Sequence, residues 1–251
     1  MKKLFFTSNI KNYKQVGNFK VAKEIDNING IVDQLKCAIL NFDSILCVAS
    51  SPDDIQKVNA YANILFDGFK MSGISFKNYN ILDNRTRNKA KEYVENADLV
   101  FLSGGDTYIQ NQFFKEINLK NLLKEYNGVI IGQSAGSLNM AESVYNSPEY
   151  GNESKQIYFN GLGLSNINIE PHFCLSTINF NELEMYQRNN ILEESKKRTI
   201  FALCDGSHIF ETDQSIDIYG EAYIIKNGDI TKICENGCKY NIFNVEKKWK
   251  I

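Results

Sequence analysis

Val129-Ile130-Ile131-Gly132-Gln133-Ser134-Ala135-Gly136-Ser137-Leu138-Asn139-Met140-Ala141 is the stretch around which this chain is read. A β-branched apolar run leads into Gly-x-Ser-x-Gly and then into small residues of helical character. This is the pattern of a nucleophile elbow, a sharp strand-to-helix turn that lifts a serine hydroxyl out at the carboxyl end of a sheet. The turn is tight, so the residues beside Ser134 must be small. Gly132 and Gly136 meet that need, and Ala135 adds to it. The same geometry aims the Ala135 N–H into the site at a helix N-terminus, where negative charge is favoured. The bare motif also occurs as a small-residue turn with a capping serine. Its place straight after Val129-Ile130-Ile131 favours the elbow.

Outward from this segment, apolar runs bounded by turn residues recur at 3–8, 44–50, 76–82 and 99–103. Their apolar character is continuous rather than alternating, clearest at 99–103 and 129–133, as in strands buried on both faces. Between them lie stretches with helical spacing. After Pro52, the residues Ile55, Val58, Ala62, Leu65, Phe66 and Phe69 recur every three or four. Asp106 or Thr107 caps a second predicted helix, whose buried face would include Ile109, Phe113 and Ile117. Alternating strand and helix predict an α/β fold with a doubly wound, mostly parallel sheet flanked by helices.

The second half reads differently. Residues 146–160 are polar and turn-rich, a long loop, and 181–197 are predicted helical. Short strands follow at 200–203, 208–211, 216–219, 222–226 and 230–234. Asn227-Gly228-Asp229 marks a hairpin between the last two. These extra C-terminal strands are expected to extend the main sheet or to pack at its edge. No repeat, linker or low-complexity segment interrupts the chain, so residues 1–251 are read as a single domain.

A serine hydroxyl is a weak nucleophile until a base takes its proton. The chain has two histidines. His172 lies in Ile167-Asn168-Ile169-Glu170-Pro171-His172-Phe173, just after a predicted strand, with Pro171 fixing the local backbone. His208 lies inside a predicted strand. His172 is the preferred base, with His208 as its rival. An acid must then hold the imidazole. Glu149, in the long loop, is the first choice, with Glu142, Glu153 and Glu170 left open. Leu99-Val100-Phe101-Leu102-Ser103-Gly104-Gly105-Asp106-Thr107 ends another strand in a glycine turn. Beside the elbow, that turn would offer Gly104 or Gly105 as an oxyanion donor to accompany Ala135. A phosphate-binding reading of the turn ranks lower, because it has neither a G-x-G-x-x-G pattern nor a Walker lysine.

Composition narrows the classes. The chain has 251 residues, 43% hydrophobic and 23% charged, with a net charge of -2. That length carries a full core without disulfide or metal staples, and that charge argues against nucleic acid as a partner. No apolar run nears the ~20 residues of a membrane span, and the short apolar start is read as a strand rather than a signal segment. Six scattered cysteines, at 37, 47, 174, 204, 234 and 238, read as reduced cytosolic thiols rather than a zinc site.

Four stretches together carry a family likeness: Ser103-Gly104-Gly105-Asp106-Thr107, Gly132-Gln133-Ser134-Ala135-Gly136, Leu162-Gly163-Leu164 leading to Pro171-His172-Phe173, and Ala202-Leu203-Cys204-Asp205-Gly206-Ser207. In their order and separations the chain resembles the peptidase E family, which also contains cyanophycinases and is distantly similar to class I glutamine amidotransferases. The resemblance implies an α/β fold with a Ser-His-acid triad that cleaves small peptides. It makes Ser134 the nucleophile and His172 the base, and it puts the acid in the loop after the elbow helix, where this chain offers Glu149. Peptidase E has aspartate there and acts on N-terminal aspartyl peptides, so the aspartyl preference stays open. Arg85, Arg87 and Lys115 are candidates to hold a substrate carboxylate.

The expected protein is thus a cytoplasmic serine peptidase, monomer or homodimer, that hydrolyses short peptides through an acyl-enzyme. It would require no metal or organic cofactor and no nucleic-acid or membrane partner. Two other readings stand beside it. One is an esterase of the α/β-hydrolase type, although its base usually comes much later in the chain than His172 does after Ser134. The other is a non-catalytic binding module on the same fold. A glutaminase is disfavoured by serine at the elbow and by Cys174 where that family keeps glutamate.

Overall fold

The computed structural model describes residues 2–148, 157–173 and 189–242. The first half runs β1 (Lys3–Thr7), β2 (Tyr13–Val16), β3 (Phe19–Ala22), α1 (Ile31–Ala38), β4 (Ser44–Val48), α2 (Ile55–Met71) and β5 (Asn78–Leu82). It continues with α3 (Ala90–Glu95), β6 (Leu99–Leu102), α4 (Thr107–Glu116), α5 (Leu119–Glu125), β7 (Val129–Gln133) and α6 (Ala135–Leu138). The second half adds β8 (Ser143–Tyr145), β9 (Tyr158–Asn160), β10 (Ile169–Glu170), β11 (Ile200–Leu203) and β12 (His208–Glu211). Then follow β13 (Ile216–Tyr219), β14 (Ala222–Lys226), β15 (Asp229–Cys234) and β16 (Lys239–Asn241).

Eight strands form the main sheet in the order β16-β13-β12-β1-β7-β6-β4-β5. From β1 to β5 all neighbours are parallel. The strands β12, β13 and β16 extend that sheet antiparallel. Successive residues of a strand point to opposite faces, and this explains the unbroken apolar runs. In β4, Ile45 and Cys47 join a core covered by α1 and α2, with Leu35, Ala62, Leu65 and Phe69. Leu46 and Val48 point the other way, into a core with Val94, Phe113, Leu119 and Leu123 from α3, α4 and α5. Each such side chain contributes about 1.5–3 kcal/mol of burial free energy, so both faces lock the register of the central strands. The carboxyl ends of β1, β7, β6 and β4 therefore emerge side by side, and their outgoing loops build the site.

Several expectations are refined. The α2 helix buries Val58, Ala62, Leu65, Phe66 and Phe69 as its spacing predicts, while Ile55 at its start is exposed. In α4, Asp106 caps the helix by accepting from the N–H groups of Tyr108 and Ile109. Phe113 and Ile117 are buried, but Ile109 is 49% exposed and the helix buries Gln110 and Asn111 instead. Residues 146–160 are not simply a loop: Ser143–Tyr145 and Tyr158–Asn160 pair as a hairpin, and 149–156 lie outside the described residues. Of the helix expected at 181–197, residues 189–194 are described and helical.

The C-terminal strands divide between two sheets. Only β12, β13 and β16 extend the main one, while β11, β14 and β15 form a second sheet with β10. That sheet packs on the first through Leu203 and Ala222 against Ile209 and Ile218. The β14–β15 hairpin turns through Asn227 (φ 55) and Gly228 (φ 86), the two positive-φ positions that an Asn-Gly turn supplies. No helix among the described residues is long and apolar enough to cross a membrane.

Candidate active site

Ser134 stands at the end of β7 with φ 49 and ψ −110, a backbone conformation that costs a non-glycine residue strain. Its surroundings hold it there. The Ser134 N–H donates to the Thr7 carbonyl at 2.9 Å, and the Thr7 N–H donates to the Ser137 hydroxyl at 2.9 Å. A Cβ at Gly132 would overlap the backbone of Gly136 and Ser137, and one at Gly136 would overlap the Leu102 carbonyl. The two motif glycines are therefore required by the close approach of β7, α6 and β6. Ser134 occupies the N-cap position of α6, yet its hydroxyl makes no capping bond. It is free to face a different partner.

That partner is His172. Its Nε2 lies 3.0 Å from Ser134 Oγ, and its Nδ1 lies 2.7 Å from Asp205 Oδ1. The strands β10 and β11 run parallel as neighbours, so the turns that follow them deliver His172 and Asp205 to the same end of the second sheet. Ser8, just beyond β1, closes the cluster. Its hydroxyl accepts the His172 backbone N–H at 2.7 Å and donates to Asp205 Oδ1 at 2.6 Å, the length of a charge-assisted bond. Burial works against the charge on Asp205. The hydrogen bonds from His172 and Ser8, with the charges of His172 and Lys11, outweigh it and hold the carboxyl below its usual range. An ionised acceptor on Nδ1 keeps the proton on that nitrogen and leaves Nε2 to accept from Ser134. The pair is open to solvent, with the His172 and Asp205 side chains 50% and 40% exposed.

The glycine turn after β6 lies beside the elbow. A Cβ at Gly104 would come within 3.6 Å of Ser134 Cβ. The Gly104 N–H is committed elsewhere, donating to the Tyr61 hydroxyl at 3.2 Å. Burial pushes that phenol well above its usual range, so it stays neutral. Gly105, at φ 151, makes no hydrogen bond from its N–H to a described residue. The Ala135 N–H opens a helix and has no intrahelical acceptor. Buried amides tie the two donors together. Gln110 Nε2 donates to the Ser103 carbonyl at 2.7 Å. Asn139, at the end of α6, donates to the Thr107 carbonyl at 2.9 Å and accepts from Asn111 at 2.9 Å.

The structure thus brings Ser134 and His172 into contact, opens α6 with Ala135, sets the Gly104-Gly105 turn beside the elbow and commits the Gly104 N–H to Tyr61. Glu149 and Glu153 lie outside the described residues. Glu142 is exposed, and Glu170 accepts from the Ser147 hydroxyl at 2.9 Å. His208 is wholly buried. It shares a hydrogen bond of 2.8 Å with Gln34 and stacks on Tyr219, and burial pushes it down to about 3. Arg85 is held by Asp83 and Asn59, and Arg87 by Glu116. Sequence reading missed Asp205 and Ser8. The available signal for Asp205 was an acid beside a glycine immediately after the apolar run 200–203; Ser8 carried none.

A hydroxyl on a strained strand-to-helix turn, faced by an imidazole at the carboxyl edge of a parallel sheet, is the arrangement of an α/β serine hydrolase. Sequence comparison makes the class narrower. The chain belongs to peptidase family S51, whose model matches residues 48–219, and it is a serine-type peptidase. Its fold is that of two solved structures. One is a peptidase from an acI-B1 Actinobacterium, at a TM-score of 0.68 and 14% identity over 96% of this chain and 97% of that one. The other is a protein assigned as peptidase E from Listeria monocytogenes EGD-e, at 0.58 and 17% over 86% and 96%. No curated protein matches the chain in sequence.

Proposed function

We propose that the chain hydrolyses short peptides by acyl transfer, with Ser134 as nucleophile, His172 as general base and Asp205 as the carboxylate that orients it. The contact series carries this reading: Ser134 Oγ to His172 Nε2 at 3.0 Å, and His172 Nδ1 to Asp205 at 2.7 Å. Ser134 Oγ attacks the peptide carbonyl while its proton passes to His172 Nε2. The oxyanion of the tetrahedral intermediate faces the N–H groups of Ala135 and Gly105. One such donor is worth roughly 10²–10³ in rate. His172 then gives its proton to the leaving amine. A water, deprotonated by the same imidazole, releases the acid product from Ser134. Asp205 stays ionised and stabilises the imidazolium. No step calls for a metal or an organic cofactor. Glu149 is the alternative acid.

Aspartyl dipeptides are the first substrates to test, on the strength of the family likeness. A dipeptide library hydrolysed by wild type beside Ser134→Ala tests the reading. Cleavage of a subset of dipeptides by wild type and none by Ser134→Ala is expected. Equal cleavage by both proteins would contradict it.

A further inference from the structure

The peptide group between Gly104 and Gly105 has a glycine on either side. Turning a peptide over changes ψ of the residue before it and φ of the residue after it. Between two glycines neither change meets a Cβ. This peptide therefore has little intrinsic preference for one face, and something outside it must choose.

Ser50 makes the choice. It follows β4, is 6% exposed, and donates its hydroxyl to the Gly104 carbonyl at 2.6 Å. A trans peptide carries its C=O and N–H on opposite sides, so the Gly105 N–H points away from Ser50. The sheet places β6 between β4 and β7, which puts the glycine turn between Ser50 on one side and Ser134 on the other. The N–H turned from Ser50 is turned toward the elbow. The preceding peptide is held separately, by Tyr61 on the Gly104 N–H and Gln110 on the Ser103 carbonyl. A side chain at 105 is excluded twice over, since φ is 151 and a Cβ would overlap the Ser50 hydroxyl.

We infer that Ser50 is a positioning residue: its hydroxyl clamps the Gly104 carbonyl so that the Gly105 N–H faces the oxyanion formed at Ser134. This rests on the proposed roles of Ser134 and Gly105 and deepens them. Ser50 touches no reacting atom. Without its hydroxyl the peptide is free to turn over, and a carbonyl oxygen then replaces the donor beside the developing negative charge.

Labelling with a fluorophosphonate reads this effect. Ser134 Oγ bonds to phosphorus, fluoride leaves, the hydroxyl proton passes to His172, and the phosphonyl oxygen enters the oxyanion site. The maximal labelling rate, the probe concentration giving half that rate, and Tm are measured for wild type, Ser50→Ala, Ser50→Thr and Ser134→Ala. Ser50→Ala is expected to lower the maximal rate roughly ten- to a hundredfold with half-saturation and Tm unchanged. Ser50→Thr keeps the hydroxyl and recovers to within about threefold. Should Ser50→Ala fail to fold, Ser50→Cys, a weak donor, takes its place with the same fall expected. A Ser50→Ala protein that labels like wild type while Ser134→Ala stays unlabelled overturns the role of Ser50 and leaves the nucleophile standing. A loss that Ser50→Thr does not recover overturns it as well. An unlabelled wild type, or a Ser134→Ala protein that labels equally, overturns the reading of the site and Ser50 with it.

Discussion

Nε2 of His172 stands 3.0 Å from the hydroxyl of Ser134, although 38 residues separate them in the chain. Two different sheets produce this contact. The serine arrives on β7 of the main sheet, and the histidine on the turn after β10 of the second. Asp205, one strand further on, lies 2.7 Å from the other ring nitrogen.

Asp205→Asn should lower kcat roughly 10²–10⁴-fold with KM little changed, because the amide no longer holds the imidazole in the tautomer that accepts from Ser134. Glu149→Gln should cost less than Asp205→Asn. Steady-state kinetics on both variants decides between the two carboxylates, and the reverse order would reassign the acid to Glu149.

Ser8 acts on that acid. Its hydroxyl donates to Asp205 at 2.6 Å, so Ser8→Ala should move the Asp205 carboxyl titration to higher pH. It should also lower kcat by roughly three- to thirtyfold, as loss of one partly exposed bond to a charged group implies. Carboxyl carbon chemical shifts followed against pH read the first effect directly.

His208 predicts a pH-dependent stability. Its folded value is pushed down to about 3 from an ordinary 6.5. Below pH 6.5 the unfolded chain therefore binds a proton that the folded chain refuses. Stability contributed by neutral His208 is complete above that pH and is lost as pH falls toward about 3, at up to about 1.4 kcal/mol per pH unit. Urea midpoints for wild type and His208→Gln should converge between pH 6.5 and 4.5. A constant gap between them would refute the buried neutral imidazole.

Gly136→Ala tests the elbow's packing. The added Cβ would overlap the Leu102 carbonyl, so the variant should lose about 1–3 kcal/mol in denaturant unfolding. Its serine should also react more slowly than that of wild type.

Much of this architecture is legible in the chain because local rules impose it. The central strands β4, β6 and β7 read as continuous apolar runs because both of their faces are covered. The elbow reads clearly because a strained serine needs glycine at 132 and 136. What the sequence hides depends on distant pairing. The strands at 208–211 and 222–226 look alike, yet one joins β1 and the other β11. The buried face of α4 departs from the apolar spacing at Ile109 because Gln110 and Asn111 are buried there, Gln110 bonded to the Ser103 carbonyl and both amides to Asn139. An apolar period does not report such bonds. Asp205 reaches His172 only because β10 and β11 are neighbours, and no spacing along the chain reveals that. The glycine turn is visible in the sequence, but the bond that takes up the Gly104 N–H comes from Tyr61 on α2, far away in the chain.

The most direct measurement is mass spectrometry of the protein after fluorophosphonate treatment, with the adduct mapped to a residue. One adduct is expected, on Ser134, absent in Ser134→Ala and formed at least about a hundredfold more slowly in His172→Ala. An adduct on any other residue, or undiminished labelling of His172→Ala, would contradict it.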